Sequence, residues 1–438
     1  MLYYRGVDCD ALWGDVFRKD GQCMTNNFRD RVFGTFLGMA VAMAAGTANA
    51  QDANPQVANP QDANAKDANG NSLSYGPDGL VIQSGDGNYR AQVRFRLQFR
   101  GVIGTDEDPK APADFEESER VSFLLKRARF KLGGHAIRPW VDYYLEYDFV
   151  GTRLLDFRVT LERYPWLKLR LGQWKAEYNR ERRDSSGEQQ FAERSIVNDP
   201  FSIDRQQGIM LTGRILPGKP IDSTYYAAIY TGMGRGGGEN DDSQAMWMLR
   251  YQWNLLGREL PFEQSDTEGR KKPAASLAVA TVANRSPFTA FSSSGGDALP
   301  GFELGHPGQY SVHQWLQEAA LHFRGFSLQQ EFHWKRVTDR DRARVTDLRG
   351  SYAQAGFFVY RPQPGKPRGL EVAARWAFVD PDASAASDRQ HELTGALNWF
   401  FRGHANKITF DVSRLTLEQL SESDLVTHRA RLQWDVHF

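Results

Sequence analysis

Three observations predict an all-β protein, a transmembrane antiparallel β-barrel of about sixteen strands with long outer loops and mostly short periplasmic turns. The first is strict alternation over long runs. From Tyr89 to Arg100 one face carries Tyr89, Ala91, Val93, Phe95, Leu97 and Phe99, and the other Arg90, Gln92, Arg94, Arg96, Gln98 and Arg100, the period-two signature of a strand. The second is an export signal on a chain whose two cysteines, Cys9 and Cys23, both precede that signal. The third is an alternating C-terminal run, His428, Ala430, Leu432, Trp434, Val436 and Phe438, that ends on an aromatic residue.

Taken in order, residues 1–50 read as a leader. Arg29 and Arg31 precede the apolar stretch Val32–Gly46, and Ala48-Asn49-Ala50 follows it. A basic flank, a short apolar core and an A-x-A site make a secretory signal peptide. Cleavage is expected after Ala50, with Met24 as the expected true start. Both cysteines then leave with the leader, and the mature chain has no disulfide framework. Residues 51–78 open with the low-complexity repeats Gln-Asp-Ala-Asn-Pro and Gln-Val-Ala-Asn-Pro. With almost no large apolar side chain they predict a disordered periplasmic tether. The barrel is expected over residues 79–438.

Within that region alternation recurs at 127–132, 141–149, 155–162 and 167–171. It continues at 205–215, 222–232, 245–253, 276–284, 312–324, 326–337, 348–361, 369–379, 390–401, 406–415 and 426–438. With Tyr89–Arg100 these make an even number of strands, as bacterial barrels of this kind require. Short connectors (163–166, 216–220, 324–325, 361–368, 402–406) largely alternate with longer polar ones (105–119, 175–204, 232–242, 284–311, 338–347). Two connectors break the rule: Val150–Thr152 is short where a loop is due, and Asn254–Pro273 is long where a turn is due.

A soluble sandwich would bury the same apolar faces inward. Runs of ten or more residues, export without cysteines and the terminal aromatic favour the membrane. Outward arginines would each cost about 2–4 kcal/mol near the bilayer midplane, so the Arg90–Arg100 face must look into the lumen. Tyr89, Tyr143, Tyr147, Trp247, Trp253, Trp334 and Trp434 are the expected interfacial aromatics.

The chain resembles the phosphate-selective porins O and P of the bacterial outer membrane over about residues 79–438. The stretches that carry this are Leu145-Glu146-Tyr147-Asp148-Phe149, Gly172-Gln173-Trp174-Lys175 with Glu181 and Glu193-Arg194-Ser195, Tyr352–Phe358, Glu371–Trp376 and Leu397-Asn398-Trp399. The resemblance implies a sixteen-stranded homotrimeric barrel in which basic side chains guide anions to a constriction of inward-folded loops. It makes Lys175, Glu181 and Arg194 structural or constriction candidates. The arginines do not align one-to-one with the family's ladder.

Charge adds detail. Arg90, Arg94, Arg96 and Arg100, with Arg127, Arg129, Lys131, Lys168 and Arg170 on following strands, are the expected pore-lining and anion-binding groups. Arginine suits phosphate because its planar fork donates two parallel hydrogen bonds and stays charged. Asp142, Glu146 and Asp148 on the third strand are the expected counter-charges, with which the arginines could instead brace the wall. The segment 175–204 mixes bases with Glu177, Glu181, Glu188 and Glu193, as a constriction loop or an exposed loop would.

Other chemistry is absent from the pattern. The glycines at 232, 234 and 237 are followed by Glu239-Asn240-Asp241-Asp242 rather than a helix, so they read as a loop. His322 and His333 lack zinc spacing, there is no G-x-S-x-G elbow, and neither cofactor nor metal is expected. With 54 basic and 54 acidic residues no nucleic-acid partner is expected. The partners foreseen are inorganic anions, phosphate or polyphosphate, and outer-membrane lipid. The leading reading is therefore a non-enzymatic, passive, anion-selective channel. The alternatives are a porin of weak or different selectivity (sugars, carboxylates) whose charge pairs brace the wall, and an outer-membrane hydrolase.

Overall fold

Nineteen strands share one antiparallel sheet; three are short N-terminal strands, and the other sixteen close into a barrel. The computed structural model describes residues 64–438 except 77–78, 116–119, 237–238, 292–295, 362–367, 387 and 421–422, and a separate two-residue strand pair, Arg18–Lys19 with Gln22–Cys23. The expected start at Met24, the leader and its cleavage after Ala50 lie outside the described residues.

The barrel strands are β1 (Arg90–Ile103), β2 (Val121–His135), β3 (Val141–Asp148), β4 (Arg153–Tyr164), β5 (Leu167–Lys175), β6 (Arg205–Ile215), β7 (Ser223–Tyr230) and β8 (Met246–Leu255). They continue as β9 (Ala274–Ser286), β10 (Tyr310–Phe323), β11 (Phe326–Asp339), β12 (Arg344–Tyr360), β13 (Gly369–Asp380), β14 (Gln390–Phe400), β15 (Asn406–Leu417) and β16 (Leu425–His437). Each alternating run seen in the sequence is one strand. β16 returns to β1 from Ala430↔Ile103 to His437↔Arg96 and closes the wall.

The alternation is inside-out relative to a soluble protein. Along β8 Arg250, Gln252 and Asn254 are buried, whereas Trp247, Leu249, Tyr251 and Trp253 are exposed. Trp247 and Trp253 share the outer face six residues apart, about 20 Å of strand, and so mark the two rims of an apolar band such as a bilayer requires. The rings of Trp334 and Trp434 pack in tilted pairs with outer-face aromatics, Trp315 and Phe99.

Connector lengths follow from backbone chemistry. Arg324 and Gly325, with φ of 54° and 85°, make the two-residue turn between β10 and β11, the geometry that matches strand twist. Residues 149–152 form a tight turn, as the sequence spacing showed. The anomalous connector 256–273 instead bends into the barrel.

The segment expected as tether needs a correction at its far end. Asn64–Lys66 and Ser72–Gly76 are strands, followed by Gly79–Gln83. Asp67 nucleates the first turn by accepting the Asn69 and Asn71 amides at 2.9 Å each, an Asx turn. Leu73 and Tyr75 alternate with serines behind it, so order begins before the alternating barrel region. Gly79–Gln83 pairs with β1 from Leu80↔Val93 to Gln83↔Arg90. Gly79, at φ 80°, lies against β1 where a Cβ would sit 2.2 Å from the Val93 carbonyl oxygen.

Candidate pore and its lining

β5 ends at Lys175 and β6 starts at Arg205. The residues between them, 176–204, fold into the lumen around two short helices, α1 (Arg180–Arg183) and α2 (Asn198–Phe201). Such a loop brings backbone N–H groups into a buried space, where each needs an acceptor. The wall supplies carboxylates at inward positions of successive strands. The Arg180 amide donates to Glu318 of β10 at 3.2 Å and the Glu181 amide to Glu331 of β11 at 2.8 Å. Gln190 Nε2 donates to Glu371 of β13 at 2.8 Å, the Ile196 amide to Glu392 of β14 at 3.0 Å, and the Ala192 amide to Asp411 of β15 at 2.8 Å. These acids are almost wholly buried. Tyr178, Ile196, Val197, Phe201 and Ile203 complete the attachment by packing on Met246, Val282, Val312 and Val337 of the same wall. The loop is thus held against β8–β15.

The connector 256–273 reaches the loop from the opposite end. Its Phe262 ring lies 5.1, 5.4 and 5.8 Å from the guanidinium carbons of Arg180, Arg183 and Arg250. Arg180 Nη1 donates to the Pro261 carbonyl at 2.5 Å, the Gln190 amide to Gln264 Oε1 at 2.9 Å, and Ser265 Oγ to Glu371 at 2.9 Å. In Glu263, burial raises the carboxyl pKa, but His404 and Thr267 outweigh it and hold the group at about 2.

A cavity of about 420 Å³ lies between the loop and the wall of β1–β5. Its bases are Arg94, Arg129, Lys131, Arg158, Arg170, Lys175 and Arg183; its acids are Glu146, Asp156, Glu177, Asp184, Glu188 and Glu263. The acids are largely committed. Glu146 takes Arg129 at 2.8 Å, Asp156 takes Arg205 at 3.0 Å and Glu177 takes Arg170 at 2.5 Å. Asp184 is buried with neither carboxyl oxygen hydrogen-bonded. Burial, reinforced by Glu188 and opposed by Arg194 and Lys175, pushes its pKa well above the usual carboxylate range. Among the bases, Arg129 and Arg170 are taken up by those pairs and Arg183 also meets Glu177 at 3.3 Å, but the others are less committed. Arg94 and Lys131 face each other across β1 and β2 and make no hydrogen bond or ion pair among the described residues. Arg158 meets Asp142 only at 3.7 Å, and Lys175 Nζ donates only to the Asp184 and Arg182 carbonyls, at 2.9 and 3.3 Å.

The residues singled out by sequence divide accordingly. Arg94, Arg129, Lys131, Arg170, Glu146 and Lys175 line the cavity. Arg96 and Arg100 are buried in the wall: Arg96 pairs with Asp435 and donates to Ser186 Oγ, both at 2.8 Å, and Arg100 pairs with Asp106 at 2.6 Å and Glu193 at 3.2 Å. Burial pushes Asp106 up, but Arg100 and Lys126 together hold it at about 2. Arg127 pairs with Glu193 at 3.0 Å, Arg129 also reaches Asp148 at 3.3 Å, and Asp142 serves Arg158. Arg90 touches Gln83 at 3.5 Å, and Lys168 pairs with Glu162 at 3.0 Å near the turn end.

Glu181 and Arg194 build the loop itself. Glu181 accepts the Ser195 amide at 2.7 Å and its hydroxyl at 2.8 Å, and Arg194 Nε donates to the Glu181 carbonyl at 2.9 Å. Burial raises Glu181 to about 7 against the pull of Arg375. Arg158, Arg183 and the acid series Glu318, Glu331, Glu371, Glu392 and Asp411 were missed. The inward positions of those acids, on strands the alternation had already defined, were the available signal.

Residues 303–438 match the family model of phosphate-selective porin O and P. No curated protein matches the chain. Among solved structures, the anion-selective porin from Comamonas acidovorans is similar with a TM-score of 0.51 at 11% identity, over 80% of this chain and 99% of that one. The loop L8 deletion mutant of OmpT, an outer membrane protein of Vibrio cholerae, has a TM-score of 0.50 at 7% identity, over 80% and 99% of the two chains. The outer membrane channel DcaP of Acinetobacter baumannii gives 0.49 at 12%, over 80% and 97%. At these identities the likeness is one of fold.

Proposed function

We propose that this chain, an outer-membrane channel by its closed sixteen-strand barrel and its match to the phosphate-selective porins, passes small inorganic anions, with phosphate and polyphosphate as the substrate class. Barrel and family match point to a channel rather than an enzyme. One observation carries the selectivity: the inward loop covers the acids of the far wall, and the open cavity lies along the basic near wall. A lumen lined by one excess sign selects ions by its field. Arg94 and Lys131 stand opposite each other and repel one another; Glu146, opposite Lys131 on β3, offsets part of that charge, and an anion beside Arg94 relieves the rest. Arg158, Lys175 and Arg183 continue the path past the loop. The Arg94 fork can offer phosphate two parallel hydrogen bonds. The leader, the homotrimer and the orientation with long loops outward belong to this reading as well.

The second reading, a weakly selective porin, draws on the pairing of Arg96, Arg100, Arg127 and Arg129. Reversal potential in a planar bilayer under a salt gradient separates them. Anion preference together with block of chloride current by phosphate supports the proposal. A reversal potential near zero selects the weak porin, and cation preference refutes anion selectivity.

A further inference from the structure

The outer surface of the barrel breaks its own rule on β10–β12. Val279, Leu328 and Phe357 are exposed apolar residues of the outer band. Toward the loop end the band stops at Trp315 and Trp334, directly paired across β10 and β11 with ring centroids 6.2 Å apart. The next outward pair along these strands is His313 and Arg336. Arg336 lies 5.0 Å over the Trp334 ring and is bridged to Asp347 at 2.8 and 2.9 Å. With Arg340 these side chains line a surface concavity of about 670 Å³, and Arg349 stands opposite Trp334 on β12.

An outward arginine costs about 2–4 kcal/mol at the midplane but close to nothing at the interface. Tryptophans gather at that interface. The Trp pair therefore sets the depth, and the cations beside it occupy the layer of lipid headgroups. Arg336, Arg340 and Arg349 supply three guanidinium groups; Asp347 takes Arg336, while Asp341 and Asp339, on either side of Arg340, are turned to His306 and Arg342. Asp347 engages Arg336 through Nε and Nη2, which leaves Nη1 to donate. We infer that this patch binds the phosphorylated headgroup of a membrane lipid, with the Trp315–Trp334 pair against its acyl or sugar portion. Charge complementarity carries the assignment, and it rests on the reading of the barrel as a membrane channel.

The test uses the full purified chain in detergent, with native mass spectrometry after addition of a diphosphorylated glucosamine lipid, its dephosphorylated form, phosphatidylcholine or inorganic phosphate. The wild type is expected to retain the diphosphorylated lipid and neither neutral form. Arg336→Gln with Arg340→Gln is expected to weaken retention roughly a hundredfold, about tenfold for each charge-assisted hydrogen bond lost. The exposed single variant Arg340→Gln gives a smaller loss in the same direction and serves if the double variant does not fold. Equal retention by wild type and variants overturns the inference. So does equal retention of the dephosphorylated lipid, displacement by inorganic phosphate, or an altered oligomeric state with lipid binding unchanged, which would make the occupant a second copy. Conductance of the same preparations reports on the channel reading separately.

Discussion

Arg94 and Arg96 lie two residues apart on one face of β1, yet the structure gives them opposite tasks. Arg94 lines the cavity without a partner among the described residues; Arg96 is 1% exposed and pairs with Asp435 at 2.8 Å. Replacing each separately by glutamine should therefore give different phenotypes. A unit charge about 5 Å from a passing ion contributes roughly 0.8 kcal/mol in bulk-like water. Arg94→Gln should thus lower anion permeability roughly fourfold and raise cation permeability by the same factor, so the anion-to-cation ratio falls roughly sixteenfold at low salt. The effect should shrink as ionic strength shortens the Debye length below about 10 Å. Arg96→Gln strands Asp435 in the wall, and removing one partner of a buried pair costs about 3–5 kcal/mol. The low end of that range applies, because Gln98 and Gln433 still donate to Asp435 at 2.8 and 2.9 Å. Reversal potentials under a salt gradient and denaturant midpoints of the folded barrel read the two effects. Unchanged selectivity in Arg94→Gln, or an equal selectivity loss in Arg96→Gln with full stability, refutes the division of labour.

Three further outcomes follow from the same geometry. Phe262→Ala removes the ring shared by Arg180, Arg183 and Arg250; losing a desolvated cation–π contact of about 2 kcal/mol should loosen the connector and raise single-channel conductance. Glu181 has a folded pKa of about 7, above its ordinary 4.5. Its stabilisation is therefore full below pH 4.5 and lost as the pH rises through 7, so current noise from the loop should grow between pH 5 and 8, and Glu181→Gln should flatten that dependence. Phe438 exchanges backbone hydrogen bonds with Phe95 at 2.7 and 3.0 Å and stacks on its ring; Phe438→Ala should lower the yield of closed barrel on semi-native gels.

The barrel was legible because its wall obeys a local rule: each strand alternates, and each alternation is visible within a dozen residues. Even the irregular connector 254–273 announced itself by length. The state of each arginine was not legible, because its partner lies far along the chain. Arg96 meets Asp435 across the closing seam, and Arg100 meets the Ala192 carbonyl of the inward loop at 2.6 Å. The nearby carboxylates weighed as counter-charges do serve Arg129 and Arg158. They say nothing of Arg94, whose isolation depends on where the loop leaves space. Glu181 and Arg194 lie buried inside the inward loop, where their bonds to Ser195 and to the Glu181 carbonyl make them part of its frame.

The closing seam has a consequence for assembly. β1 presents one edge to two partners: Gly79–Gln83 occupies Arg90–Val93, and β16 with Phe438 occupies Phe95–Ile103. The strand Gly79–Gln83 is near β1 in sequence, so its pairing closes a short loop, whereas the pairing of β16 with β1 closes a loop of more than three hundred residues. A slip by one residue would turn every side chain of β16 to the wrong face. Gly79–Gln83 already holds β1 from Arg90 to Val93, so that stretch of the edge is closed to the last strand, whose pairing with β1 runs from Phe95 onward.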